Sequence, residues 1–312
     1  MEPRRRIGAY GLCRNASGAV LLTRTGEQAD APGAWHLPGG VVAHGEHPAA
    51  TVVREFAAAT GLAIRVTGVR AVLSDVIRLP DAGVAVHTDR VVYDVDVTGG
   101  RPRTERRGPD GHTGPVAWTP PDQLGRLPLM PFTAESLGLP VRPLSASAVA
   151  AVGPRQPYPP PDPDRGQRFA AYGLVTDPDD RVLLTLIAPG YPGAGHWHLP
   201  GGGTDHGEQP AAGLLRELTE ETGQLGRVVD LLEVSHRHDP AALGPEGRPI
   251  DWHVVRAVYR VLVDAPTAVR VTEHAGSTER AAWFDRAEID ELALTDVARA
   301  ALHRWTSRAE PG

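Results

Sequence analysis

An internal repeat sets the terms for this chain. Ala9-Tyr10-Gly11-Leu12 recurs as Ala171-Tyr172-Gly173-Leu174, and Val20-Leu21-Leu22-Thr23 as Val182-Leu183-Leu184-Thr185. Trp35-His36-Leu37-Pro38-Gly39-Gly40 recurs as Trp197-His198-Leu199-Pro200-Gly201-Gly202. The offset is constant (171 − 9 = 162), and no gap is needed from Ala9 to Leu62. A unit that long is a duplicated domain rather than a solenoid repeat, and each copy can own a core. The 312 residues suit two domains. Each copy predicts two strands (7–13 and 19–24; 169–176 and 182–187), a Gly/Pro-rich loop, the Trp-His-Leu-Pro-Gly-Gly turn and a helix. Beyond the helix, Val91, Tyr93, Val95 and Val97 alternate with Arg90, Asp94 and Asp96. Ala257, Tyr259, Val261 and Val263 likewise alternate with Arg256 and Arg260, and both runs predict half-buried strands. Short helices are expected at 120–124 and 286–292, and a closing helix at 295–308.

The copies meet in a proline-crowded segment, 145–167, with Pro154, Pro157, Pro159, Pro160, Pro161 and Pro163 at its centre. Such a segment is extended and buries little, so it reads as a spacer. The expected domains are therefore 1–144, a linker over 145–167, and 168–312. A net charge of -6 gives no sign of a nucleic-acid partner. Cys13 is the single cysteine, so no intrachain disulfide can form, which fits a cytoplasmic setting. No apolar run reaches the roughly 18–20 residues of a membrane span, so no membrane partner is expected.

Residues 202–224 carry the chemistry. His206-Gly207-Glu208 closes a glycine-rich turn, Pro210 stands where a helix begins, and Gly223 where it ends. At helical spacing Glu217, Glu220 and Glu221 share one stripe, with Leu214 and Leu218 about a third of a turn away. Three crowded carboxylates repel one another. A divalent cation removes that cost, and hard oxygen donors suit Mg2+ or Mn2+. Taken alone, the acids read more simply as a solvated helix face.

They do not stand alone. The stretch resembles the Nudix hydrolase signature, G-x5-E-x7-R-E-U-x-E-E-x-G-U with U a bulky aliphatic. Gly202, Glu208, Arg216, Glu217, Leu218, Glu220, Glu221 and Gly223 match at the right spacing, and Gln224 departs at the last apolar position. The resemblance spans nearly the whole chain, once per half. It implies an α/β fold of two tandem α/β/α sandwiches, each with a mixed sheet between helices. It also implies metal-dependent hydrolysis of a nucleoside diphosphate linked to another moiety, with Mg2+ or Mn2+ as cofactor. On this resemblance Glu217 and Glu221 are direct metal ligands, Glu220 is near or ligates through water, and the Gly202 carbonyl adds a donor. Glu208 and Arg216 brace the loop and helix. The catalytic set is Glu220, Glu221, Arg216 and Glu279. Glu279 is the candidate water-activating base outside the box, and Glu273 is next.

The first copy departs where it matters. Gly40, Glu46, Arg54, Glu55, Phe56, Gly61 and Leu62 fit, but Ala58 and Ala59 stand in place of the adjacent acids. One helical carboxylate makes a poor Mg2+ site, whereas Ala favours the helix. The expectation is a degenerate, non-catalytic copy whose small apolar face is covered. His198, His236, Arg237 and His238 are candidate substrate contacts, although a strand-borne His is more often structural. Pro240 lies 16 residues beyond the box, where this family places a residue associated with ADP-ribose, but Asp239 precedes it and proline is abundant here. The partner expected is a small-molecule nucleotide, and the chain is expected to be a monomer whose halves pair as an internal pseudo-dimer. Two other readings stay open. One is a non-catalytic nucleotide-binding regulator. The other is an isopentenyl-diphosphate-isomerase-like enzyme, whose cysteine would have to be Cys13.

Overall fold

The computed structural model describes residues 1–26, 29–103, 113–143, 158, 160–243, 248–272 and 276–308. Most of the expected linker, including Pro154, Pro157 and Pro159, lies outside them, as does Glu273. The chain divides into two compact units, Met1–Arg168 with Ser235–Val255, and Phe169–Val234 with Arg256–Gly312.

In the first unit, β1 (Glu2–Leu12), β2 (Val20–Thr25), β3 (Trp35–His36) and β4 (Gly39–Val41) precede helix α1 (Pro48–Thr60). Two long strands follow, β5 (Leu62–Leu79) and β6 (Val84–Gly100), then β7 (Thr113–Thr119) and the short helices α2 (Pro121–Leu124) and α3 (Pro131–Ser136). One sheet has the order β4-β1-β6-β5 and a smaller one β3-β2-β7. The first is mixed: β1 is parallel to β6, with Ala9 opposite Val91, and antiparallel to β4. Helix α1 is delimited locally. His47 accepts the Ala49 N–H at 2.9 Å through its side chain, Pro48 opens the first turn, and Gly61 closes it at φ 75. Phe56 and Val52 are fully buried, and Leu22, Leu37, Val86, Val92 and Phe132 pack in the core of this unit.

The expectation of a half-buried strand at 90–97 needs correction. From Val86 to Tyr93 the strand is buried on both faces, and Arg90 is only 2% exposed, while Val97 is exposed. Val84, Val86 and Val92 join the core around Leu22, Leu37 and Phe132, so that face is covered as well as the face of Val91, Tyr93 and Val95. Burial of charge there is possible because it is paired. Asp89 accepts from Arg5 at 2.8 and 3.2 Å. Arg90 forms a two-pronged bond to Asp75 at 2.8 and 3.0 Å, donates to the Tyr10 hydroxyl at 2.8 Å, and lies 4.4 Å from the Phe132 ring centre.

The second unit repeats the plan with β8 (Arg165–Thr176), β9 (Val182–Ile187), β10 (Trp197–His198), β11 (Gly201–Gly203) and helix α4 (Pro210–Thr222). Strands β12 (Arg227–Leu243) and β13 (Pro249–Leu262), of which residues 235–255 are counted with the first unit, β14 (Thr278–Phe284) and helices α5 (Arg286–Ile289) and α6 (Asp296–Arg308) complete it. The sheet order is β10-β9-β8-β13-β12, with β11 on β8 and β14 on β9. Ala257, Tyr259, Val261 and Val263 are buried and Arg260 is exposed, but Val254 and Val258 on the opposite face are buried too, so the expected half-buried strand needs correction here as well. Leu174, Leu184, Leu199, Val258 and Ala298 form the centre of its core. Among the described residues no helix is long and apolar enough to cross a membrane.

Candidate functional site

Helix α4 begins and ends where its sequence punctuates it. Pro210 occupies the first turn, and Gly223, at φ 71, donates its N–H to the Thr219 carbonyl at 2.9 Å. Leu214 and Leu218 are fully buried, which fixes the helix's rotation. The acid stripe then straddles the edge of the core rather than facing water evenly. The side chain of Glu220 is 43% exposed and that of Glu217 16%, while Glu221 as a residue is 3% exposed. Burial of Glu221 is matched by donors: the Gly201 N–H at 2.8 Å and the Thr278 hydroxyl. No spacing in the box announces Thr278; only the pairing of β14 with β9 brings it there.

The glycine turn is shaped by close approach. At Gly201, φ is 129, and a Cβ would lie 2.2 Å from the Ala171 carbonyl. At Gly202 a Cβ would lie 2.9 Å from the Glu217 carboxylate. Any side chain at 202 would therefore push Glu217 away.

Arg216 organises the acids. Its Nε and a terminal nitrogen donate to the two oxygens of Glu208 at 3.0 and 3.2 Å. The other terminal nitrogen donates to Glu217 at 3.1 Å and Glu220 at 3.0 Å. Glu208 also accepts the Asp205 N–H at 2.8 Å, which ties the loop to the helix. The hydrogen bonds to Glu208, before any other cause, push the Arg216 pKa further up. The first copy has the same clasp: Arg54 donates to Glu46 at 2.9 and 2.7 Å and also meets Glu55. Hydrogen bonding from Arg54 holds the Glu46 carboxyl down at about 2. Among the described residues Ala58 is exposed and Ala59 half-buried, so within its own unit the expected cover over that face is not found. Two methyl groups offer too little apolar area to hold a neighbour.

Gln224, the departure from the signature, is buried at 1% exposure. Its amide nitrogen donates to the Thr222 carbonyl and to both oxygens of Thr267, and its oxygen accepts the Thr267 N–H at 2.9 Å. A hydrogen-bonded amide thus fills the aliphatic slot. Gln224→Leu is expected to destabilise by about 1 kcal/mol, the low end for a lost buried partner, because Thr267 itself is exposed and water replaces part of the loss. A denaturation midpoint unchanged from the parent would refute this.

The remaining candidates are dispersed. His198 is half-buried, with Nδ1 2.6 Å from the Thr295 hydroxyl and its ring against Tyr172. Burial, aided by Arg256, pushes it down to about 4, so it is neutral near pH 7. Glu279 is exposed on β14, next to Thr278. His236, Arg237 and His238 lie on β12 in the stretch that belongs to the first unit. A cavity of about 380 Å³ in the second unit is lined by Leu174, Leu232, Glu233, Arg260, Arg304 and Trp305 among others, and by no residue of the box.

The donor chemistry of Glu217, Glu220 and Glu221 fits a hard divalent cation, with all three on one helix beside the Gly202 backbone. Their oxygens are at present drawn to Arg216, Gly201 and Thr278. Among the described residues, three ligand atoms within 4.8 Å of one another occur at His44, His238 and Asp251 and not at the box.

Comparison with known proteins agrees with the repeat. The NUDIX domain model matches residues 3–137 and again 166–305. Among solved structures, a MutT protein from Methanosarcina mazei Go1 is 19% identical, over 48% of this chain and 100% of that one, with a TM-score of 0.37. The NUDIX domain of Shewanella oneidensis NrtR, solved with ADP ribose, is 20% identical over 48% and 94%, with a TM-score of 0.38. A MutT NUDIX hydrolase from Burkholderia pseudomallei is 31% identical over 45% and 98%, with a TM-score of 0.35. No curated protein matches the chain. The chain belongs to the Nudix family, with one Nudix domain in each half, and is with that family a pyrophosphohydrolase.

Proposed function

We propose that the chain is a divalent-metal-dependent hydrolase of a nucleoside diphosphate linked to another moiety, with its chemistry in residues 168–312 and a non-catalytic first copy. The observation that carries this reading is the contrast between the copies: both keep the Arg–Glu clasp, and only the second keeps Glu220 and Glu221. Glu217, Glu220 and Glu221 would hold Mg2+ or Mn2+, with the Gly202 carbonyl as a further donor. Such a cation, when bound, neutralises phosphoryl charge and lowers the pKa of water.

The chain's own residues do the rest. The Gly201–Gly203 backbone admits a phosphate closely because no side chain intervenes. Glu221 is held in place from two sides, by the Gly201 N–H and the Thr278 hydroxyl. Arg216 keeps Glu217 and Glu220 side by side and tethers them to Glu208. Glu279, exposed beside Thr278, is the group proposed to take the proton from the attacking water at its carboxylate. The isomerase-like reading is disfavoured by Cys13, which is buried and whose thiol is pushed up by burial. The whole chain is read as a cytoplasmic monomer.

Turnover separates this from a nucleotide-sensing regulator. ADP-ribose, dinucleoside polyphosphates, oxidised nucleoside triphosphates and nucleotide sugars are incubated with the full chain and Mg2+ or Mn2+. Phosphate-bearing products are expected, and excess chelator should abolish them. Full activity in chelator would overturn the reading.

A further inference from the structure

A second donor set lies in the first unit and shares no residue with the acid box. His44 follows β4. His238 stands on β12, and Asp251 on β13. The Nε2 atoms of both histidines lie near one oxygen, Oδ1 of Asp251, at 3.0 Å from His44 and 2.6 Å from His238. The His44 Nε2 is buried and makes no hydrogen bond of good geometry, despite that 3.0 Å separation. It is therefore aimed beside the oxygen rather than along a bond to it. A tetrahedral cation with bonds of about 2.0–2.1 Å sets its ligand atoms roughly 3.3 Å apart. The three ligand atoms already lie within 4.8 Å of one another, so shifts of about 1 Å bring them to that spacing.

The surroundings hold this arrangement. Strand period puts His236 and His238 on one face of β12, and Asp251 and His253 on one face of β13. This His-x-His and Asp-x-His spacing is the signal available in the sequence. His253 is fully buried, with its ring 5.5 Å from His44 and 6.2 Å from His238. The Gln167 amide stands 3.1 Å from His253 Nδ1 and donates to it, which leaves the proton on Nε2, facing His236 Nδ1 at 3.4 Å. His253 thus backs the two candidate ligands as a neutral ring. Gly45, at φ 77, lets the loop come close: a Cβ there would lie 2.8 Å from the His238 ring. Arg165 lies 3.7 Å from Oδ2 of Asp251, the oxygen turned away from the histidines.

We propose that His44, His238 and Asp251 bind one transition-metal cation of the zinc type. Two imidazoles and a carboxylate suit Zn2+ and its neighbours, whereas Mg2+ prefers all-oxygen sites and keeps its water. The site fastens the loop carrying His44 to a segment nearly 200 residues later in the chain. A cation bound only by the folded state stabilises it by mass action.

The test uses the untagged full-length chain, stripped with chelator, dialysed, and held in saturating Mg2+. Zn2+ is titrated by calorimetry, and Co2+ is followed by its visible absorption. One equivalent is expected, with a tetrahedral Co2+ spectrum and a raised melting temperature. His44→Gln and His238→Gln should each weaken binding at least 10–100-fold, roughly the cost of losing even an outer partner of a ligand. Glu217→Gln should leave it unchanged. If His44→Gln fails to fold, His238→Gln, whose ring is 35% exposed, decides the matter. No stoichiometric Zn2+ binding by the parent, or unchanged affinity in the folded histidine variants, would overturn the proposal. So would binding lost in Glu217→Gln but kept in those variants.

Discussion

Glu221→Gln and Glu217→Gln are each expected to cut turnover by about 1,000-fold or more, roughly 4 kcal/mol of barrier. Both substitutions keep the shape of the side chain and remove only its charge. At 221 the amide oxygen can still accept the Gly201 N–H, and the amide nitrogen can donate to the Thr278 hydroxyl, so the buried position stays satisfied. At 217 one bond from Arg216 survives on the amide oxygen, and Glu208 keeps the rest of the guanidinium in place. Loss of activity with an unchanged circular dichroism spectrum therefore reads as loss of a cation-binding charge. Glu55→Gln, at the repeat position of 217, should change turnover by less than about tenfold, because Ala58 and Ala59 leave Glu55 without companions. The comparison is made on kcat at saturating Mg2+. If Glu55→Gln is crippling and Glu217→Gln mild, the active copy has been assigned to the wrong half.

The largest expected effect on stability comes from the other copy. Asp75→Leu takes the two-pronged carboxylate partner from the Arg90 guanidinium, buried at 2% exposure beside the Tyr10 hydroxyl and the Phe132 ring. Breaking one side of a buried pair costs about 3–5 kcal/mol, more than most truncations of a core side chain at a half-buried strand. The unfolding transition that includes the first copy should fall by roughly 10 °C, at about 2–4 °C per kcal/mol for a unit of this size. Adding Arg90→Met should recover much of the loss, since the uncompensated charge rather than the missing contact is the cause. A loss under about 1 kcal/mol in the single variant would show that Tyr10 and Phe132 suffice.

The duplication and the start and stop of both box helices were legible because they rest on local rules. Pro at the first turn and a left-handed Gly at the last need nothing beyond their neighbours, and the helices span Pro48–Thr60 and Pro210–Thr222 accordingly. The double burial of β6 was not legible. Whether both faces of a strand are covered depends on how distant segments pack on the sheet, and the Arg90–Asp75 pair that permits the burial joins residues on different strands. The same holds for Thr278 against Glu221, and for His44 against Asp251: each is a meeting of segments far apart in sequence. Gln224 marks a different limit. The pattern asks for an aliphatic residue, and only the backbone at Thr267 explains why an amide serves as well.

The Arg–Glu clasp, present at Arg54–Glu46 and Arg216–Glu208, touches neither of the positions at which the copies diverge, 58/59 and 220/221, except through the single bond to Glu220. Scaffold and charge are thus inherited separately within one motif. A copy can lack the two adjacent acids and still keep the same bracing of loop to helix. Ala58→Glu and Ala59→Glu would therefore restore the carboxylate count of the second copy on a helix whose brace is already in place, with Ala58 exposed and Ala59 half-buried to receive them.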